Sequence, residues 1–324
     1  MTEPQRNSSF SLSVPFLQLA WDSTSMGLLK ECPRKYQLAI IGTGTDPDAI
    51  GGYETRRESV HLIFGLHTHK CREIYDHARA EGKSHHEALV RAVRAGLDLT
   101  WNRELGRPWI SDDKNKNRLT FIRTLVWYLD QFESDPFKTV ILANGKPAVE
   151  LSFRMESSYK NAVGETYLIC GHLDRLATLN NVTYIMDIKT TKNTLSEDFF
   201  EKFTPDNQFS TYIMASQVVY ALPVQGLVVD AAQVAVTFSR FQRGQVSRTN
   251  GQLEEWYRDL GWYLQTAESF ARARYWPMND KSCGNYGGCP YRGICNKAPQ
   301  DREAWLRSDY RRRTWDPLQV RGDI

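Results

Sequence analysis

Two carboxylates and a lysine stand where strand-like segments should be apolar. The segment ICGHLDRLATL, residues 169–179, carries Asp174, and YIMDIKTT, residues 184–191, carries Asp187 and Lys189. Side chains alternate along a strand, so Asp187 and Lys189 share one face and Ile188 points the other way. A tight turn at Asn180-Asn181 would put Asp174 on the neighbouring strand. Three ionisable groups would then converge on one spot. Two carboxylates and a backbone carbonyl are hard oxygen ligands suited to Mg²⁺ or Mn²⁺. Such a metal lowers the pKa of a bound water and neutralises a phosphate oxygen. A lysine beside it can orient that water or offset charge in the transition state. The chemistry is metal-assisted hydrolysis. The alternative on Asp-x-Lys alone is an ordinary salt bridge at a strand end, because short motifs recur by chance.

A second constellation lies near the C-terminus. Of six cysteines, Cys283, Cys289 and Cys295 lie together in CGNYGGCPYRGIC, and Cys32, in KECPRKYQL, is a candidate fourth ligand. A Cys₄ set suits zinc or an iron–sulfur cluster. Spacing alone does not decide between them. Cys71 and Cys170 read as buried small apolar residues.

The elements that must position these groups follow from periodicity and turn chemistry. Residues 1–22 read as a lead-in without the apolar core of a signal peptide. Ser23 or Ser25 caps a helix running through MGLLKECPRKYQL, and residues 43–57 form a loop. Helices are expected over 59–80, from Ser84 to about Trp101 with a Ser84/Glu87 capping box, and over 117–133. Strands follow over 148–155, 167–179 and 182–190, then a helix over 205–222 with Pro205 near its first turn, a strand over 228–239 and a long helix over 250–274. This order gives a mixed α/β core with a helical insertion. No dinucleotide-binding or P-loop glycine motif is present.

Composition bounds the class. The 324 residues are 41% hydrophobic and 24% charged, with a net charge of +3. Those proportions exclude a disordered chain, a collagen and a coiled coil. The longest apolar stretch, around 218–238, is broken by Pro223, Gln225, Asp230 and Gln233, so no membrane span is expected. The small net charge is an average: residues 272–313 hold ten Lys or Arg against four acids, interleaved with Tyr275, Trp276, Trp305 and Tyr310. Basic groups with aromatics suit single-stranded nucleic acid, and a solvated helix end fits equally well.

Motif by motif, the chain resembles the PD-(D/E)XK nuclease superfamily and, within it, RecB-like exonucleases. Gly171-His172-Leu173-Asp174-Arg175 is similar to the family's G-x-x-D-R strand, with leucine where proline often stands, and Asp187-Ile188-Lys189-Thr190-Thr191 to its D-x-K-T strand. Gly65 to His69 resembles the G-x-x-x-H helix, Gln208 to Tyr212 the Q-x-x-x-Y helix, and Glu150 the glutamate of the first strand. His67 is a competing histidine, but it points about 200° from His69 on a helix.

The resemblance implies a restriction-endonuclease-like mixed sheet flanked by helices, with a C-terminal iron–sulfur segment. It makes His69, Asp174, Asp187 and the Ile188 carbonyl metal ligands and Lys189 the catalytic lysine, with Glu150, Gln208 and Tyr212 at the site. One distant cysteine plus three clustered ones resembles iron–sulfur members such as the AddB-type nuclease domain and CRISPR-associated exonucleases, so a [4Fe–4S] cluster on Cys32, Cys283, Cys289 and Cys295 is expected ahead of zinc. The domain reading is a single unit over 1–324: N-terminal helices 23–80, insertion 84–135, nuclease core 146–240, helix and iron–sulfur segment 250–300, and basic tail 301–324. The implied activity is metal-dependent DNA exonuclease action on single-stranded or free ends, in recombination, repair or CRISPR-type processing, with a partner protein supplying any unwinding. The implied setting is the cytoplasm of a bacterial or phage-infected cell. The alternatives are a catalytically weak DNA-binding or adaptor protein on the same fold, and a zinc-stabilised RNA-processing nuclease.

Overall fold

The structure is a computed structural model that describes residues 9–44, 50–56 and 59–320. The main helices are α1 (Ser23–Glu31), α2 (Val60–Ala80), α3 (His85–Leu99), α4 (Arg118–Gln131), α5 (Asn207–Val218), α6 (Asn250–Ala273) and α7 (Arg302–Asp309). The main strands are β1 (Val149–Lys160), β2 (Thr166–Leu179), β3 (Val182–Thr191), β4 (Gly226–Val234) and β5 (Ser239–Val246). Contacts divide the chain into two compact units. One holds the described residues of 59–153 and 172–249; the other holds those of 9–56, 154–171 and 250–320. In sequence the two alternate, the first lying as two pieces on either side of residues 154–171 of the second.

In the first unit the sheet runs β2–β3–β4–β5. β2 and β3 are antiparallel, with Arg175 opposite Met186 and Leu179 opposite Val182. Asn180 and Asn181 close this hairpin with φ of 50° and 64°, the left-handed pair that a two-residue turn demands and that asparagine tolerates. β3 and β4 are parallel, with Asp187 beside Val229 and Ile188 beside Asp230, and α5 lies on the crossover between them. β4 and β5 are antiparallel. The sheet is therefore mixed, as the sequence led us to expect.

The helical insertion packs on α2. Phe64, Cys71, Ala88, Ala92, Phe121, Leu125 and Leu129 form one buried cluster with Val234 of β4. The Ser84/Glu87 capping box forms as expected: the Ser84 hydroxyl accepts from the Glu87 N–H, and the Glu87 carboxylate accepts from the Ser84 N–H at 3.0 Å.

Several boundaries differ from expectation for local reasons. The first helix stops at Glu31 because Cys32 is extended (φ −163°, ψ 113°); Pro33 forces its predecessor out of helical geometry. A new turn begins at Pro33 and continues as a π-helical stretch over Gln37–Ile41. Pro205 is outside its helix, which starts at Asn207 with Asp206 as the N-cap, its carboxylate accepting from Phe209 at 3.0 Å. The expected loop over 43–57 lies partly outside the described residues, and its far end is a strand, Gly52–Thr55, paired with Tyr310–Arg313. β5 carries little apolar signal: SRFQRGQV is polar and half exposed, so its strand character comes from pairing with β4 rather than from pattern.

Among the described residues, no helix is long and apolar enough to cross a membrane.

Candidate functional site

The mouth of the site forms where β2 and β3 part. Their last cross-strand pair is Arg175 with Met186. The next residue of β2, Asp174, instead turns its carboxylate to the Ile188 amide, which donates to Asp174 Oδ2 at 2.8 Å. α2 brings His69 over this point. His69 Nδ1 lies 3.3 Å from Asp174 Oδ1, and its Nε2 faces the Ile188 carbonyl at 3.1 Å. One imidazole thus spans a carboxylate and a backbone carbonyl on two neighbouring strands.

Glu150 completes a three-donor group. One ligand atom each from His69, Glu150 and Asp174 lies within 4.8 Å of the others. Glu150 reaches the group with a left-handed backbone, φ 50°, a conformation that costs an ordinary residue about 1–2 kcal/mol. Strain of this kind persists where the surroundings over-determine it, often at functional sites. Ligand atoms around one Mg²⁺ lie roughly 3–4 Å apart, so the donor set needs only a small closure to fit a hard divalent ion.

Asp187 and Lys189 share a face, as their spacing requires. Asp187 is 1% exposed, and its Oδ2 is 2.6 Å from Lys189 Nζ. Lys189 also donates to Gln208 Oε1 at 3.1 Å, and Gln208 Nε2 donates to the Tyr212 hydroxyl at 2.7 Å. The Q-x-x-x-Y spacing puts Gln208 and Tyr212 one turn apart on α5, so the helix holds the lysine from the side opposite its own strand. The structure therefore makes two adjoining groups from the expected residues: His69, Asp174, Glu150 and the Ile188 carbonyl in one, and Asp187, Lys189, Gln208 and Tyr212 in the other. Glu150, expected at the site without a ligand role, falls among the donors, and Asp187, expected among the ligands, is engaged with Lys189.

The charges shape one another. Burial pushes the Asp187 carboxyl up to about 6, against the opposing pull of Lys189. Burial also acts to raise Asp174, but His69, Lys189 and the Ile188 amide outweigh it and hold Asp174 below the usual carboxylate range. For His69, burial disfavours the charged ring, and the Asp174 carboxylate beside it prevails and raises its pKa. Burial likewise works against charged Lys189, and the carboxylates of Asp187 and Asp174 carry its pKa above the ordinary lysine value.

The second histidine is assigned by packing. The His67 ring sits edge-on to Trp109 and Phe121, 5.9 Å from the latter, facing the insertion, so His69 alone of the two reaches Asp174. One cation near the site gave no sequence signal. Lys116, in the loop before α4, is 4% exposed and reaches Thr190 Oγ1 at 3.3 Å; burial pushes it down to about 8.

A family profile now decides the lineage: that of the PD-(D/E)XK nuclease superfamily matches residues 23–296. The chain belongs to this superfamily. The matched span contains His69, Glu150, Asp174, Asp187, Lys189, Gln208 and Tyr212. PD-(D/E)XK nucleases generally use divalent metals, and the donor set above fits one. Among curated proteins, none matches the chain. Among solved structures, the chain is similar to one described as a "putative exonuclease" from Eubacterium rectale, with 10% identity, 86% of this chain and 89% of that one covered, and a TM-score of 0.46. It is also similar to the structure of SSO0001, with 11% identity, 72% and 94% covered, and a TM-score of 0.33.

The cysteines sort as two kinds. Cys71 and Cys170 are fully buried, and burial raises both thiol pKa values, which fits inert apolar residues. Cys32, Cys283, Cys289 and Cys295 all lie in the other unit, and Cys32 and Cys283 both meet Asn279. The Asn279 N–H donates to Cys32 Sγ at 3.3 Å, the Cys283 thiol reaches the Asn279 carbonyl at 3.9 Å, and the Cys289 N–H donates to the Cys283 carbonyl at 2.9 Å. Among the described residues, no three of these sulfurs lie within 4.8 Å of one another. Thiolates on one tetrahedral zinc, with bonds of about 2.3 Å, stand roughly 3.8 Å apart.

The basic C-terminal segment is less free than its composition suggested. Arg272 pairs with Glu268, Arg307 with Glu303, and Arg311 and Arg313 with Glu54. Arg302 is spent on the Lys297 and Cys295 carbonyls.

Proposed function

We propose that the chain is a metal-dependent DNA exonuclease whose reaction takes place over the parted ends of β2 and β3. The observation that carries this reading is the single histidine spanning the Asp174 carboxylate and the Ile188 carbonyl, with Glu150 inside the same 4.8 Å group. In this reading His69, Glu150, Asp174 and the Ile188 carbonyl would hold Mg²⁺ or Mn²⁺, with Asp187 added by its motif position. The bound ion supplies Lewis acidity and an acidified water.

The chain's own groups do the rest. Lys189, held from both sides by Asp187 and Gln208, presents a fixed positive charge where negative charge builds on the scissile phosphate. Its pairing keeps it protonated, so it acts by charge and hydrogen bonding. Gln208 and Tyr212 keep the ammonium from swinging away. The Asp174 carboxylate holds the His69 ring in one orientation, as carboxylate partners of ligating histidines do.

The same proposal places a [4Fe–4S] cluster on Cys32, Cys283, Cys289 and Cys295. The support is the meeting of Cys32 and Cys283 at Asn279 within one unit, with the Cys289 N–H donating back to the Cys283 carbonyl. The cluster would be structural. Its ligands come from the two sequence-distant segments of one unit, on either side of the nuclease residues, so it would close that unit. The iron–sulfur RecB-like subtype, with DNA ends as substrate and a recombination, repair or CRISPR-type role, follows from the same reading.

The test is a cleavage assay on the full chain, prepared without oxygen, with end-labelled linear single- and double-stranded DNA and a closed single-stranded circle. Loss of label from linear DNA that needs Mg²⁺ or Mn²⁺ and spares the circle is the expected result. Cutting of the circle at the rate of the linear strand would overturn the exonuclease assignment.

A further inference from the structure

α2 carries more than the histidine. Arg72 lies one turn beyond His69 on the same side of the helix and is 4% exposed. Its guanidinium donates to Asp230 Oδ2 at 2.6 Å and to the Tyr128 hydroxyl at 2.6 Å, and it lies over the Tyr128 ring at 3.8 Å. Asp230 is completely buried. Its Oδ2 also accepts from Tyr128 and, at 3.2 Å, from Arg243. Arg243 is held in turn by both oxygens of Asp135, at 2.7 and 2.9 Å.

The place of Asp230 in the sheet gives this network its meaning. In the parallel register of β3 and β4, Asp230 is the neighbour of Ile188. Ile188 is the residue whose amide binds Asp174 and whose carbonyl faces His69. α2 therefore grips one level of the sheet twice: through His69 on the Ile188 backbone, and through Arg72 on the residue beside it. A buried ion pair is weak evidence for stability, since apolar residues of the same size often serve as well. Its directional bonds can instead fix where one element sits on another.

We propose that the Arg72–Asp230 pair is a positioning device for the metal site, setting the height of α2 over β3 and so the separation of the His69 ring, the Asp174 carboxylate and the Ile188 carbonyl. This rests on the reading of His69 and Asp174 as metal ligands. Arg72 and Asp230 are not ligands themselves. They act through His69.

The test is Mn²⁺ binding by the full chain, read by electron paramagnetic resonance. The comparison takes the native protein, His69→Ala, Asp230→Asn, Arg72→Met and the control Leu264→Ala, which truncates a buried residue of α6. Loss of a partner bonded directly to a ligand costs about 10–100-fold in metal affinity; Arg72 and Asp230 stand one step further out, and a loss at the low end, about tenfold, is expected for Asp230→Asn and for Arg72→Met. Leu264→Ala is expected to lower the melting temperature and leave Mn²⁺ affinity unchanged, separating positioning from general loosening. Should Arg72→Met fail to fold, Arg72→Lys keeps the charge and loses the planar fork, and a smaller loss of affinity is expected. Native Mn²⁺ affinity in folded Asp230→Asn and in the folded Arg72 variant would overturn the device. Mn²⁺ binding indifferent to His69→Ala would instead overturn the metal-site reading on which it rests.

Discussion

Lys189→Ala is expected to lower metal-dependent cleavage by about a thousandfold, in the range seen when one preorganised charge-stabilising donor is removed. Metal binding should persist, because Lys189 is ion-paired with Asp187, donates to Gln208 and contributes nothing to the three-donor group. The variant also leaves Asp187, 1% exposed, without its cation. An uncompensated buried carboxylate takes up a proton more readily, so Asp187 should titrate above its native value of about 6. Lys189→Arg is not a rescue: a planar fork does not replace a compact ammonium held between two side chains. Single-turnover cleavage at saturating Mn²⁺ checks this. A loss below about tenfold would mean that Lys189 forms only an ordinary salt bridge with Asp187.

The second large effect concerns stability. Cys289→Ser is expected to abolish the visible absorption of an iron–sulfur cluster and to lower the melting temperature by about 7 °C. In the chain-entropy picture, closing a loop as long as that between Cys32 and Cys283 is worth roughly 5 kcal/mol, and each kcal/mol moves the midpoint by about 1.5 °C in a chain of this length. Cys71→Ser, at a fully buried thiol in the other unit, should leave the spectrum unchanged. Iron and sulfide analysis with calorimetry on protein prepared without oxygen checks both. A colourless native protein carrying one equivalent of zinc would replace the cluster with a Cys₄ zinc site.

What the sequence made legible, and what it hid, follows the range of the interactions. Asp187 and Lys189 on one strand face, the Asn180-Asn181 turn and the Ser84/Glu87 cap are local, set by period and by neighbouring residues, and all three appear in the structure. Motif spacing set His69 apart from His67, and the structure brings the His69 ring to Asp174 while the His67 ring packs on Trp109 and Phe121. The Cys32-Pro33 break was written in the sequence too, but helical periodicity on both sides of it masked the proline. The ligand-like placement of Glu150 was hidden, because it depends on a left-handed φ that no local pattern announces. Asp230 stood out only as a charge interrupting the apolar run GLVVDAAQV. Its meaning needs the parallel register with Ile188 and the approach of Arg72, 158 positions earlier in the chain. Composition presented the arginines of the tail as a basic surface; the Arg272–Glu268 and Arg307–Glu303 pairs are local i,i+4 pairs, whereas the pairing of Arg311 and Arg313 with Glu54 is tertiary information.

The most direct measurement is a paired one on native protein and Asp174→Ala: Mn²⁺ binding and release of label from linear single-stranded DNA in the same samples. Asp174 is the residue that both orients His69 and takes the Ile188 amide. The native chain is expected to bind Mn²⁺ and release label, and the folded variant to lose both. Undiminished label release by folded Asp174→Ala would contradict the metal-site assignment.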